Sequence, residues 1–171
     1  MRNSSTFWRT GLAGLMLAVT VSGCSSLGGV GGSSFGNAAL SPGEVADVAS
    51  PDAASALKSG NAAFRNGLYG QSAGYFKHAV EMDPKNPRAY VGLGASYDRL
   101  GRFDLADKLY AALLSLTGET AQYYNNVGYS QMLRGNLSAA LANFRKAKAL
   151  DPDNPIISNN IKLLSNAAAR A

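Results

Sequence analysis

Between Pro87 and Asn154 the apolar side chains recur at helical spacing in paired runs, with a glycine between the members of each pair. One pair reads Tyr90, Leu93, Gly94, Tyr97, then Phe103, Ala106, Tyr110, Leu113. Shifted by 34 residues the pattern returns: Tyr90 falls on Tyr124, Gly94 on Gly128, Gly101 on Gly135, Ala106 on Ala140 and Tyr110 on Phe144. Shifted the other way it meets Gly60, Gly67, Ser72 and Phe76. A fixed period of this length predicts an all-α solenoid of helix pairs, in which each unit buries its apolar face only against its neighbours.

The punctuation agrees with the period. Gly67, Gly101 and Gly135 stand between the two halves of each unit, where one helix must stop and the chain must turn. Gly60, Gly94 and Gly128 fall inside the first helix, where glycine costs about 1 kcal/mol against alanine. They predict close contact with a second helix, through Ser72, Ala106 and Ala140. Asp83-Pro84-Lys85-Asn86-Pro87 and Asp151-Pro152-Asp153-Asn154-Pro155 are nearly one pentapeptide, two periods apart. Pro84 and Pro152 stop a helix, Asn86 and Asn154 can cap the next, and Pro87 and Pro155 suit its first position. The expected units are 53–86, 87–120 and 121–154, followed by a cap helix over 155–168.

These residues resemble the tetratricopeptide repeat (TPR), whose pattern is a large residue, Leu-Gly, Tyr, a turn Gly, Ala, an aromatic, Ala and Pro. The best match is Tyr90, Leu93-Gly94, Tyr97, Gly101, Ala106, Tyr110. Departures are local: Ala56 replaces the large residue of the first unit, Gly118 replaces the junction Pro of the second, and Gln131 stands where Tyr97 does. The resemblance implies a right-handed superhelical array of about three repeats and a cap.

Upstream the pattern changes. Arg2 and Arg9 precede an apolar run, Gly11 to Val21, that is too short to span a bilayer and reads as a signal-peptide core over 1–23. It ends Val21-Ser22-Gly23-Cys24, which resembles the lipobox of bacterial lipoproteins and implies acylation of Cys24, the only cysteine. Ser25 rather than Asp implies, by the same resemblance, release to the outer membrane. Residues 24–49, with SSLGGVGGSSFGN, read as a lipidated flexible tether, and Ser50-Pro51-Asp52 as the cap and first turn of the helical domain at 50–168. Two or three acyl chains, at about 0.8 kcal/mol per buried methylene, hold such a chain stably on a membrane where one would not.

Composition excludes more than it assigns. The formal charge is +5, and cleavage before Cys24 removes Arg2 and Arg9, leaving +3 spread over mixed helices. Arg145, Lys146 and Lys148 form no stripe of the kind nucleic acid requires. His78 is expected on the exposed side of a helix without a catalytic partner, no Cys/His set could hold a metal, and Gly92-Leu93-Gly94 lacks the setting of a nucleotide loop. Asp104 and Asp107, near Arg102 and Lys108, suggest surface pairing. No enzyme, cofactor or small-molecule substrate is expected.

In TPR proteins the first helix of each unit lines a concave groove, and the resemblance places that groove here on Asn61, Phe64 and Arg65, then Arg88, Asp98 and Arg99. It continues on Gln122, Asn125, Asn126, Tyr129 and Met132, with Asn159 and Asn160 extending it on the cap. Phe64, Met132 and Leu133 fit packing between units equally well. The early part is basic, and the later part suits an extended peptide. The positions of the carboxylate clamp found in chaperone cofactors hold Leu57, Asn61, Gly92, Gln122 and Asn126, which does not support binding of an acidic chaperone tail.

YDRLGRFDLADKLY, NNVGYSQMLRGN and DPDNPIISNN, with the lipobox, resemble the TadD family of TPR lipoproteins in tight-adherence (Flp pilus) secretion systems, related by architecture to the PilF/PilW group. This implies an outer-membrane pilotin-type adaptor with a protein partner such as a secretin. Another envelope or cell-wall scaffold, including one that positions a hydrolase, is the alternative.

Overall fold

The structure, a computed structural model, describes residues 44–169. The signal segment, Cys24 and the tether as far as residue 43 lie outside the described residues. Seven helices follow in order among them: α1 (Ala53–Arg65), α2 (Tyr69–Met82), α3 (Pro87–Arg99), α4 (Phe103–Thr117), α5 (Ala121–Leu133), α6 (Leu137–Leu150) and α7 (Pro155–Ala168). α1 pairs with α2, α3 with α4 and α5 with α6. Successive pairs stack, and α7 closes the stack against α5 and α6. The units begin where the 34-residue period predicts, on the first residues of α1, α3 and α5.

The turn within each pair is the same turn three times. Gly67, Gly101 and Gly135 have φ of +74°, +72° and +80°. In each case the glycine N–H bonds three residues back and the next N–H bonds five back: Leu68 N to Ala63 O at 3.0 Å, Arg102 N to Tyr97 O at 2.9 Å, Asn136 N to Gln131 O at 2.9 Å. This Schellman arrangement satisfies carbonyls that the helix end leaves free.

The junctions between pairs also follow sequence. Asn86 Oδ1 accepts from Arg88 N at 3.2 Å, and Asn154 Oδ1 accepts from Ile156 N at 2.9 Å. α4, which lacks the junction proline, ends instead on Gly118 at φ +69°. The first helix is capped by Asp52 rather than Ser50: its carboxylate accepts from Ser55 N at 2.7 Å. Thr120 caps α5 in the same manner, accepting from Tyr123 N at 3.1 Å.

The core is a chain of small clusters, one at each step of the stack. Ser72, Ala106 and Ala140 are fully buried, as expected. The group that lies over each in-helix glycine is nevertheless an aromatic ring. A Cβ on Gly60 would stand 3.0 Å from the Phe76 ring, one on Gly94 2.9 Å from Tyr110, and one on Gly128 2.8 Å from Phe144. Phe76 goes further and lies across to the next unit, where a Cβ on Gly92 would come within 2.4 Å of its ring.

Residues 45–49, read from sequence as the end of the tether, lie with Ser50 against α2: Ala46 N donates to Gly70 O at 3.1 Å, and Val45 packs on the Ala73–Phe76–Leu93 cluster. His78 is consequently half-buried rather than on an open face, with Nε2 3.2 Å from Ser50 O.

Candidate partner-binding face

The first helices α1, α3 and α5 carry the residues expected to line a groove, and their surroundings divide them into three groups. The first is exposed and basic. Arg65 and Arg99 are the last residues of α1 and α3, and Arg88 is the second residue of α3; all three are exposed. Arg99 lays its guanidinium 4.6 Å from the centre of the Tyr69 ring, and Tyr69 meets Phe64 edge-to-face at 5.3 Å. Phe64 is thus half-buried within its own pair. Asn61 is exposed, and its amide donates to Leu57 O in its own helix at 2.8 Å. This end presents cations on an aromatic bed.

The second group lies between the starts of α5 and α7. A cavity of about 300 Å³ is lined there by Gln122, Asn125, Asn126, Asn154, Ile156 and Ile157, with Ala121 and Asp151 at its edge. Gln122 is exposed, Asn126 is half-buried, and Asn159 is exposed on α7 nearby in sequence. The Asn126 Nδ2 atom is buried without an acceptor in the protein. An amide donor in that condition costs about 1–3 kcal/mol unless something accepts from it. The cavity has carboxamides on its walls and Ile156, 63 % exposed, at its rim. It can take hydrogen bonds in both senses and one apolar side chain, which is what an extended peptide offers.

The third group does not face a partner. Asp98 is 3 % exposed and belongs to the core. Its Oδ2 accepts from Tyr110 OH at 2.7 Å, and its Oδ1 accepts from Ser130 Oγ at 2.7 Å. Arg134 Nη2 donates to Ser130 Oγ at 2.9 Å, and Nη1 donates to Asp107 Oδ2 at 2.9 Å. The guanidinium also stacks 4.8 Å from the centre of the Phe103 ring. Asp107 therefore pairs across to the next repeat and not with Arg102 or Lys108. Burial pushes the Asp98 carboxyl above its ordinary range, against the opposing pull of its two hydroxyl donors. The same burial, with the adjacent carboxylate, pushes the Tyr110 phenol well above its usual value.

Asn160 is likewise 7 % exposed rather than part of an open surface, and its Nδ2 donates to Asn125 Oδ1 at 2.9 Å. This bond orients Asn125 from behind the cavity. Tyr129 and Met132 pack on the Ala140–Phe144–Leu164 cluster under the cap, which places Met132 on the core side of the two readings that its spacing allowed. Leu133 is 38 % exposed. Cys24 lies outside the described residues. Among the described residues no cluster of acidic, His or Cys side chains could hold a metal, and no helix is long and apolar enough to cross a membrane.

The Asp98 network and the cavity were not legible as such. The signal for the network was a lone acid at a repeat position where the other two units carry Phe64 and Met132, followed one unit later by Arg134.

Comparison with known proteins places this geometry. A tetratricopeptide repeat family model matches residues 57–114 and 93–155. Among curated proteins, the Hsp70-Hsp90 organizing protein of Triticum aestivum is 29% identical over 110 residues, covering 64% of this chain and 19% of the relative. The RNA polymerase II-associated protein 3 of Homo sapiens is 24% identical over 110 residues, with 64% and 16% covered. The chain thus spans about a fifth or less of the length of these relatives. Among solved structures, the first TPR of Spaghetti (RPAP3) bound to an HSP90 peptide superimposes with a TM-score of 0.57 at 24% identity, over 72% of this chain and 98% of that one. The pilF structure of Pseudomonas aeruginosa gives 0.57 at 21%, over 68% and 54%. At these identities the structures speak for the fold alone. Three stacked helix pairs with a common glycine turn, and a family match across most of 57–155, have one reading: the chain belongs to the tetratricopeptide repeat family.

Proposed function

We propose that the protein is an outer-membrane-anchored adaptor. A lipid on Cys24 holds it to the membrane, and the face formed by α1, α3, α5 and α7 holds an extended segment of a protein partner. The observation that carries this is the carboxamide-lined cavity at Gln122, Asn126 and Asn154, with its unpartnered Asn126 amide beside the exposed Ile156. TPR domains bind protein partners as peptides, and one similar structure holds an HSP90 peptide. An acidic chaperone tail suits this chain poorly: Leu57, Gly92 and Gln122 stand at clamp positions that would carry Lys, Asn and Lys.

The lipobox at Val21–Cys24 and the segments 97–110, 125–136 and 151–160 support a place in tight-adherence (Flp) pilus biogenesis. In that setting the partner is a secretin or another component of the pilus machine, and the role is that of a pilotin. The test is affinity purification of the lipidated protein from mildly cross-linked membranes, with and without Gln122→Arg and Ile156→Glu. Both positions are exposed, so the variants should keep full helical content. Recovery of a secretin or another pilus component, lost in the variants, supports both parts of the reading. Recovery of cell-wall enzymes without any pilus component sinks the pilus assignment and leaves an envelope scaffold. A partner retained equally by both variants removes the cavity from the account.

A further inference from the structure

Residues 45–50 run along one stripe of α2 made by Gly70, Gly74, Lys77, His78 and Glu81. The corresponding stripe in the other repeats is solvent-exposed. One period on from Gly70 stand the exposed Asp104 and Ser138, and from Gly74 the exposed Lys108 and Ala142. Only the first repeat has glycine at both positions, and only there is the second of them buried. The reason is the approach of another backbone. A Cβ on Gly74 would lie 2.3 Å from Ala46 O and 3.2 Å from a Val48 methyl. Two further contacts fix the segment at its ends: Ala46 N donates to Gly70 O at 3.1 Å, and His78 Nε2 lies 3.2 Å from Ser50 O, a group that can only accept. His78 Nδ1 in turn lies 3.7 Å from Glu81 Oε2. A cavity of about 310 Å³, with Asp47 and Lys77 at its rim, runs alongside.

We infer that this stripe of α2 is a second peptide-docking groove, separate from the face formed by α1, α3, α5 and α7, and that residues 45–50 are its occupant in cis. The glycine pair is spaced i, i+4, so both Cα atoms lie on one line of the helix surface, and the absence of two side chains lets an extended backbone reach helical carbonyl oxygens. Recognition is by main chain and by small apolar side chains, Val45 and Val48, so the groove suits a segment with β-branched residues three positions apart. In the adaptor reading, on which this role rests, the strap joins the leash to α2 before the chain enters α1. The leash therefore ends at the flank of the first repeat rather than at its cap, Asp52.

Gly74→Ala in the full-length protein separates this from a helix effect. Alanine is the better helix former, so without the strap the substitution stabilises α2. With the strap, the Ala46 amide loses its protection. The measurement is hydrogen exchange of that amide together with limited proteolysis across residues 44–50. The expected result is an Ala46 amide protected about tenfold or more in the wild type and exchanging near its unstructured rate in Gly74→Ala, with α3–α7 unchanged. Ala46→Pro removes the donor without touching α2 and should likewise open 44–50 to protease. A synthetic peptide of residues 43–52 should then slow exchange in α2 of that variant. An Ala46 amide unprotected in the wild type, a strap still protected in Gly74→Ala, or no effect of the peptide overturns the inference. None of these outcomes bears on partner capture through Gln122 and Ile156, so the two readings fail separately.

Discussion

The junction between the first and second repeats and that between the second and third perform the same task with opposite chemistry. At the first, the Phe76 ring, 2 % exposed, lies between Gly60 on α1 and Gly92 on α3. Among the described residues, the buried polar groups at this junction are two hydroxyls. Ser96 Oγ donates to Gly92 O at 2.7 Å, and Ser72 Oγ lies 2.9 Å from Ser96 Oγ and 3.0 Å from Gly60 O. At the second junction a buried carboxylate collects two hydroxyl donors, and an arginine of the third repeat closes the set onto Asp107 of the second. Shape holds the buried centre of the first joint, while the Arg99 guanidinium rests on the Tyr69 ring at its exposed edge. Directional bonds hold the second, and they do not tolerate the loss of a partner.

The difference can be broken most forcibly at Phe76. Phe76→Ala removes a ring that two glycines were placed to admit, and should cost about 3–5 kcal/mol in urea unfolding. The loss should appear as early exchange of α1 and α2 while α5–α7 stay protected. Asp98→Ala should cost about 3 kcal/mol, because it leaves Tyr110 OH and Ser130 Oγ buried without their acceptor. Its signature is early exposure of α5 to α7, the opposite end. Gly92→Ala puts a methyl group into the Phe76 ring and should cost about 1–3 kcal/mol by overpacking, although alanine is the better helix former. A stabilised Gly92→Ala protein would mean that the ring moves freely and that the first joint is not held by shape.

The finest discrimination is pH. The Asp98 carboxyl, raised by burial, binds its proton more tightly folded than unfolded, where its ordinary value is 3.8. Its contribution to stability is therefore fully present below that value and is lost as pH rises through the higher folded value. Asp98→Asn should flatten this dependence in unfolding curves taken between about pH 4 and pH 7. Asp52, the α1 cap, behaves in the opposite sense. Its bonds to Ser55 lower its value, so its contribution is present above 3.8 and is lost as pH falls through the folded value. Acid should thus loosen the cap of the first repeat while it relieves the buried charge of the second joint. If the pH slope is unchanged in Asp98→Asn, the second joint is not governed by that carboxylate.

Much of the fold was legible because helix starts and stops are local events. Asn86, Pro87, Asn154 and Pro155 act within a few residues of themselves, and so do the turn glycines. The site was less legible because sidedness depends on neighbours that sequence does not place. Asp98 occupies a repeat position that was assigned to the groove, yet Tyr110 and Ser130 draw it inward. Asn160 turns toward Asn125 for a similar reason. In the sequence Gly92 bears only on a nucleotide loop and on a clamp position, because its demand comes from a ring in the preceding repeat. The strap was hidden for the same cause: residues 45–50 sit next to a Gly/Ser-rich run, and what fixes them is Gly70 and Gly74, whose significance appears only beside their counterparts in the other repeats.

The bonds around Asp98 also bear on how such an array can change over generations. Tandem copies begin interchangeable, and a chain of them can be lengthened or reordered by duplication. Here the second repeat holds Asp98 and Asp107, and the third answers with Ser130 and Arg134. A further copy of the second repeat set after itself would present Leu100 where Arg134 is needed. A third repeat moved ahead of the second would set Met132 in place of Asp98 and leave its arginine without a carboxylate. Once charges are matched across one joint, the two units are bound to a single order, and growth of the array is confined to its ends.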